Sequence, residues 1–451
     1  MNNPLLSFGR GLPDYAAIQA SHIKPAITEL LAKAQKAVDA SVDPSTPNTW
    51  ADLVEPLENA TEELGRSWGV IGHLNSVADT PELREAYGEM LPDVTAFWSS
   101  LGQNLNLYKK YKALSQSAEF QQLSLAQRKV IENSLRDFRL GGAELSDDQK
   151  PRFSAIQDEQ ALLSKAFSDH VLDATDNYVH QITNSHDLAG LPEDALAAAK
   201  QTAELKGLDG WAFTLHFPSY FPAMQFCDNR GLRKNLYQAY ITRASELAAE
   251  YGNGKAEWDN TQNMLLQLRL KDEEAKMLGF ANYAALSLAP KMAKTVTEVD
   301  QFLLDFAKRA KSHGQKDWDD LQQFAKEHLN IEKLEPWDMA YASEKLKQAR
   351  YSFSENELKQ YFPLPKVLDG LFSIIQTLFG VKIEEDALPK WHADVKSFNV
   401  TSASGELLAN FYLDPYARPG KRGGAWMDDA RGRRTFSDGS VQTPVAYLVC
   451  N

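Results

Sequence analysis

The chain has 451 residues, 43% hydrophobic and 24% charged, the proportions of an ordinary globular protein; they exclude wholesale disorder, collagen-like repeats and small disulfide scaffolds. With 61 acidic against 48 basic residues the net charge is −13, so the chain lacks the overall electrostatic footprint of a protein that wraps a phosphate backbone. Two cysteines, Cys227 and Cys450, give no disulfide framework and fit a reducing compartment. The stretch from Met1 to Arg10 lacks a basic segment followed by a long apolar one, so no secretory leader is read there. No apolar run approaches the ~18–20 residues that a membrane helix needs. A cytoplasmic protein without membrane or nucleic-acid partners is expected.

Most of the chain is predicted to be helical. Residues 24–41 place Ile27, Leu30, Leu31, Ala34 and Val38 on one face at steps of three and four. Thr80-Pro81 predicts an N-cap followed by proline at the first helical position, where a missing N–H costs nothing. A helix from Leu125 is expected to stop at Gly141-Gly142. Ser146 and Gln149 have capping-box spacing and are predicted to open a long helix to about residue 182. Its apolar stripe is Phe153, Ile156, Leu163, Phe167, Val171, Ala174 and Tyr178. Further helical patterns run from Pro192 to Gly207 and over 228–248, 256–278 and 280–289. Thr295 with Glu298 offers a box for a helix reaching about residue 328, with His313-Gly314 as a candidate interruption. Ser354 and Glu357 offer a third box, and 365–379 reads as a very apolar helix.

The character changes after residue 393. Val395–Ser402 and Glu406–Leu413 are strand-like runs joined at Ser404-Gly405, followed by a loop rich in Gly and Arg from Asp414 to Arg434. The last residues, from Thr443 to Asn451, contain a run of strand-forming apolar residues that reads as a buried strand. Either this strand is the last of a sheet, or the sheet is unfinished and leaves unpaired backbone groups. A soft break at 207–222 divides the chain into an N-terminal helical region, 1–207, and a region 208–451 of helices followed by the start of a sheet.

The residues that carry chemistry are few in pattern. None of the nine histidines is followed by Glu and no two lie four apart, so the helical zinc-protease motif is absent. His170, His180 and His186 are the closest group and read as helix-surface or hydrogen-bonded residues. Gly420-Lys421-Arg422-Gly423-Gly424 is not a phosphate loop, because Arg422 stands at the hydroxyl position and no Gly precedes it by five. No nucleophile elbow is present, and Cys227, between apolar neighbours, reads as a packing residue. The run Phe411–Trp426 is the most unusual: aromatic and cationic residues surround adjacent glycines. One reading is a loop lining a substrate channel, offering backbone N–H groups and cations to carbonyls or a carboxylate. The other is a structural hairpin whose arginines pair with Asp414, Asp428 and Asp429.

Several runs are familiar: His73-Leu74-Asn75-Ser76-Val77, Pro81-Glu82-Leu83-Arg84-Glu85-Ala86-Tyr87, Val171-Leu172-Asp173-Ala174-Thr175, Pro218-Ser219-Tyr220, Leu278-Gly279-Phe280, Trp337-Asp338 and Gly424-Ala425-Trp426-Met427-Asp428-Asp429. Through them the whole chain resembles the thimet-oligopeptidase family of zinc metallopeptidases. Pro415 is a small departure that a loop tolerates. The resemblance implies a mainly α fold, with helical lobes flanking a deep channel and a small C-terminal β-sheet, and monomeric enzymes acting on short peptides with one zinc ion. It implies that the His-Glu-x-x-His motif, the later zinc-binding Glu and the residues stabilising the tetrahedral intermediate all fall after Asn451. No catalytic or metal-binding residue carries over to this chain. The expectation is therefore an N-terminal portion of a zinc metallo-oligopeptidase, truncated before its motif and inactive alone. A non-catalytic peptide-binding protein and one half of a split peptidase are the alternatives. For substrate contact the residues expected are Gly423, Gly424 and Ala425 through their backbone, with Arg422 and Tyr412 nearby.

Overall fold

The computed structural model describes residues 3–7 and 11–451. Met1, Asn2 and Phe8–Arg10, on which part of the leader reading rests, lie outside them. The described residues form a mainly α fold with a small mixed sheet. The longer helices and the strands follow in order: α1 (Ala20–Val42), α2 (Glu55–Val77), α3 (Pro81–Gly102), α4 (Leu105–Ser115), α5 (Leu125–Leu140), α6 (Lys150–Asn177), β1 (His180–Ile182), α7 (Glu193–Leu205), β2 (Trp211–Phe213), α8 (Phe217–Phe226), α9 (Arg230–Thr242), α10 (Thr261–Met277), α11 (Val296–Leu329), α12 (Met339–Tyr351), α13 (Leu364–Phe379), β3 (Val381–Glu385), β4 (Lys396–Ser402), β5 (Leu407–Asp414), β6 (Trp426–Arg431), β7 (Arg434–Thr435), β8 (Val441–Gln442) and β9 (Val445–Val449). The chain divides into two compact units that interleave in sequence. One comprises Met1–Phe167, Gln262–Gln301 and Pro389–His392; the other comprises Ser168–Thr261, Phe302–Leu388 and Ala393–Asn451.

In the first unit α1 packs against α2 and α3. Of the stripe read from spacing, Ile27, Leu30, Ala34 and Val38 are withdrawn from water while Leu31 is half-buried at its margin; Ile23, one turn earlier, extends the buried face. The Thr80 hydroxyl accepts the Leu83 N–H at 3.2 Å, capping α3 as its sequence predicts. Ser124 and Gln127 form a reciprocal box at the start of α5, and Gly141 ends it. Gly141 must be glycine for another reason: a Cβ there would lie 2.9 Å from the Gly102 Cα at the end of α3. Its neighbour Gly142 takes φ +88°, the left-handed turn that glycine adopts without a Cβ penalty.

In the second unit, the β1–β2 ribbon and helices α7, α8 and α9 enclose a core that includes Tyr178, Phe213, Met224, Phe226 and Leu236. Arg233 crosses this region fully buried, donating to Asp338 at 2.9 Å and to the Cys227 carbonyl at 2.6 Å. Arg230 reaches the same carboxylate at 2.6 Å. Although burial alone would raise it, these donors hold the Asp338 carboxyl below its usual range.

The sheet has the order β3-β4-β5-β9-β6, with β5 and β9 parallel and the other pairs antiparallel. The β4–β5 hairpin turns at Gly405, φ +87°, as predicted. The last strand, β9, buries Val445, Tyr447 and Val449 and is paired on both sides, so the sheet edges belong to β3 and β6.

Several boundaries differ from the sequence reading. Helix α6 stops at Asn177, not near 182, because His180–Ile182 pairs with Trp211–Phe213. Helix α9 stops at Thr242, and a left-handed Ala244 turns the chain before residue 248. His313-Gly314 does not interrupt α11, which runs unbroken for 34 residues; a lone glycine weakens a helix without ending it. Pro218 and Pro222 belong to helix α8 rather than to a break: Pro218 sits in the first turn, where no bonded N–H is lost, and Pro222 lies inside the helix, which continues to Phe226. The Gly/Arg loop ends at Ala425: Trp426–Arg431 is a strand, whose polar exposed residues hid the pattern that pairing with β9 imposes.

Candidate functional site

The Gly/Arg loop leaves the end of β5 at Asp414, whose carboxylate is fully buried. Arg418 grips it with two bonds of 2.7 Å, and Lys421 approaches its Oδ1 at 2.9 Å. Lys421 is itself buried, with its ammonium also within reach of the Tyr416 carbonyl at 2.7 Å and the Cys450 carbonyl at 2.6 Å. Burial pulls the Lys421 pKa down, opposed by the Asp414 carboxylate. One buried cation thus ties the loop to the ends of two neighbouring parallel strands.

A second set of contacts fixes the loop from the side of helix α6. The Gly420 N–H donates to Asp176 Oδ2 at 3.0 Å. Asp176 Oδ1 lies 2.9 Å from His216 Nε2, at ion-pair distance though not aligned as a hydrogen bond. Arg422 Nη2 stands 3.6 Å from Asp169 Oδ1. Asp169 and Asp176 are seven residues apart, two turns along one face of α6. The cationic loop therefore rests on an acidic helix face. The Asn451 amide donates to the Arg422 carbonyl at 3.2 Å and also to the Gly424 carbonyl.

Both readings of this loop are partly visible. Arg418 and Lys421 pair with Asp414, as a structural hairpin requires, but Arg422 pairs with Asp169 and not with Asp428 or Asp429. Beyond Arg422 the loop turns outward: Gly423, Gly424 and Ala425 are exposed, and Gly424 takes φ +109°. Arg422 is half-buried beside them. Tyr412 lies on β5, fully buried and tilted against Tyr447 at 6.0 Å between ring centroids. Four of the five expected contact residues, 422–425, are thus contiguous at the surface, while Tyr412 lies in the sheet. The anchors Asp169, Asp176 and His216 were not read from the sequence, since nothing local links them to residue 420.

The histidines do not assemble. The His170 ring contacts the Asn260 side chain at 2.9 Å, His73 packs edge-on against Trp391, and His180 lies in β1, its pKa lowered by burial. Among the described residues no three His, Cys, Asp or Glu side chains are placed to hold a metal ion. The described donors do not fit a zinc site. Cys227 is fully buried, its thiol pushed up by burial, as a packing residue would be. No helix among the described residues is long and apolar enough to cross a membrane.

Comparison with known proteins places these features in context. The model of Peptidase family M3 matches residues 223–451, and that of the Neurolysin/Thimet oligopeptidase N-terminal domain matches 26–150. Oligopeptidase A of Haemophilus influenzae is 44% identical over the whole chain, and that of Escherichia coli 43%. The chain spans 66% of the length of each of these curated relatives. The organellar oligopeptidase A of Arabidopsis thaliana is 39% identical over the whole chain, which spans 57% of it. A crystal structure described as an oligoendopeptidase F aligns with 96% of this chain and 61% of its own, at a TM-score of 0.50 and 12% identity, a likeness of fold alone.

Proposed function

The chain belongs to peptidase family M3, and from that premise we propose that it serves a zinc metallo-oligopeptidase that hydrolyses short peptides in the cytoplasm. The observation that carries this reading is identity of 43–44% across all of its residues to proteins named oligopeptidase A. The loop 422–425 is its peptide-facing element: the exposed backbone of Gly423, Gly424 and Ala425 meets the peptide, and Arg422 offers a guanidinium to a carbonyl or carboxylate. Tyr412 acts from beneath, by fixing the strand that carries the loop. The protein works as a monomer. The soft break near 207 is kept as a proposed boundary, supported by family matches that end at 150 and resume at 223, and tested by limited proteolysis at 206–210, between α7 and β2.

The 451-residue polypeptide by itself cleaves no peptide bond. No His in it is followed by Glu, so the family's paired-histidine helix, with a glutamate to activate water, has no counterpart among these residues. The test is turnover of a short quenched-fluorescence peptide by the purified chain supplied with zinc. Background rates with and without chelator are expected; chelator-sensitive turnover overturns the proposal. A second reading, a peptide-binding module without catalysis, is favoured by the exposure of Gly423–Ala425. It predicts saturable binding of the same peptide without turnover.

A further inference from the structure

Helices α5 and α10 end at a common cavity in the first unit, and both close with the same turn. The Ala143 N–H returns to the Phe138 carbonyl at 2.9 Å past Gly142, and the Phe280 N–H returns to the Ala275 carbonyl at 2.9 Å past Gly279, φ +81°. The cavity measures about 520 Å³, a size that suits a small molecule. Leu140, Leu145, Met277, Leu278 and Phe280 form its apolar wall, each half-buried rather than enclosed in a core. Gly279 also lines it, and a Cβ there would meet nothing within 4 Å, so the open space reaches the backbone.

Three charged side chains line the same cavity, and their commitments differ. Arg136 is occupied on its own helix: Nε and Nη2 donate to the Asp137 carboxylate at 2.8 and 3.1 Å, and Nη1 to the Asn133 side chain at 3.2 Å. Arg139 engages only Nε, with the Leu135 carbonyl at 3.2 Å. Among the described residues its two terminal nitrogens have no partner. Glu144 lies beside the Tyr108 hydroxyl, whose pKa is raised first by burial and then by this carboxylate. Arg139 and Glu144 form no ion pair with each other or with any other described residue. Two opposite charges thus flank one apolar wall without closing on each other. The C-terminal turns of α5 and α10 add a preference for a cation near their carbonyls. A ligand that answers all of these groups carries an anion, a cation and apolar surface together. A fatty acid offers nothing to Glu144, and a polyamine offers nothing to Arg139.

We infer that this cavity binds a small zwitterion with apolar side chains, by chemical class a hydrophobic dipeptide. Its carboxylate accepts from the terminal nitrogens of Arg139, its ammonium donates to Glu144, and its side chains cover the leucine, methionine and phenylalanine wall. The cavity belongs to the first unit and shares no residue with the loop 422–425. Hydrophobic dipeptides are of the class that hydrolysis of short peptides releases, and that connection alone rests on the proposed function.

Isothermal titration calorimetry of the 451-residue chain with leucyl-phenylalanine tests the assignment. Saturable one-to-one binding is expected. N-acetyl-leucyl-phenylalanine amide lacks both charges and glycyl-glycine lacks the apolar side chains, so each should bind about tenfold more weakly. Arg139→Gln and Glu144→Gln, both at exposed positions, should each weaken leucyl-phenylalanine by about tenfold, whereas Arg422→Ala should leave its affinity unaltered. Absence of saturable binding overturns the proposal. So does equal affinity in the wild type and both cavity variants, or equal binding of the uncharged derivative. Affinity lost in Arg422→Ala but kept in Arg139→Gln also overturns it, for then the loop is the binding site. None of these outcomes reads turnover, so this site and the proposed activity fail separately.

Discussion

Buried charge decides the strongest residue-scale expectations. Asp338 is fully buried and shared by Arg230 and by buried Arg233, so Asp338→Ala strands the Arg233 guanidinium without its counter-ion. A loss of about 3–5 kcal/mol is expected in chemical denaturation, the scale on which breaking a buried pair from one side operates. The exposed pair of Lys24 with Glu89 lies at the other extreme, and Lys24→Ala should leave the denaturation midpoint in place. The same logic sets a pH dependence. Because the Asp338 pKa is lowered from 3.8, its contribution is fully present above the unfolded value and is lost as pH falls through the folded one. The difference in stability between wild type and Asp338→Asn should therefore hold from neutrality down to about pH 5 and shrink at more acid pH. Trp337-Asp338 stood out in the sequence as a familial pair, but nothing in its neighbourhood announced two arginines from over a hundred residues away.

Caps and close approaches are the business of whole elements. Thr80→Ala should cost about 1 kcal/mol, because the Leu83 N–H at the start of α3 loses its acceptor. Gly141→Ala should cost about 1–3 kcal/mol, since the new Cβ meets backbone and not a yielding side chain. Gly423→Val, by contrast, has nothing within 4 Å of its Cβ to meet and should spare the melting temperature. If the exposed loop backbone contacts peptide, that substitution together with Arg422→Ala should weaken peptide binding severalfold in a fluorescence titration, whereas unaltered affinity in both would remove the loop from the site. Capped helices were legible because their signals lie within four residues of each other. The strand β6 was not, because its identity comes from β9, which pairs with it from twenty residues away and supplies the order that its own sequence lacks.

At the scale of the molecule, the second unit presents apolar stripes on α11 and α13 that the helical periodicity made visible as hydrophobic but could not mark as exposed. Their exposure predicts a practical behaviour. The 451-residue chain should bind an environment-sensitive hydrophobic dye strongly, and Ile374→Glu with Leu371→Lys should reduce that signal while raising solubility. An unchanged dye signal would show that these residues are not the accessible surface. The same whole-molecule view explains the Gly/Arg loop. Spacing pointed to it as unusual, and two rival readings followed. Folding gives each a share, since Arg418 and Lys421 lock the stem while 423–425 are presented to solvent.

The sequence by itself determined the mainly helical class, several helix caps and the stop of α5, the hairpin at Gly405, the buried strand at 445–449 and the family, because each depends on residues near one another or on runs retained entire. The tertiary structure alone decided that α6 yields to a strand at 180, that Lys421 and Asp414 share a buried contact with Cys450, and that Asp169 and Asp176 seat the loop. These depend on which distant segments meet. Periodicity reports that a face is apolar; only the packed chain shows whether that face has found a partner.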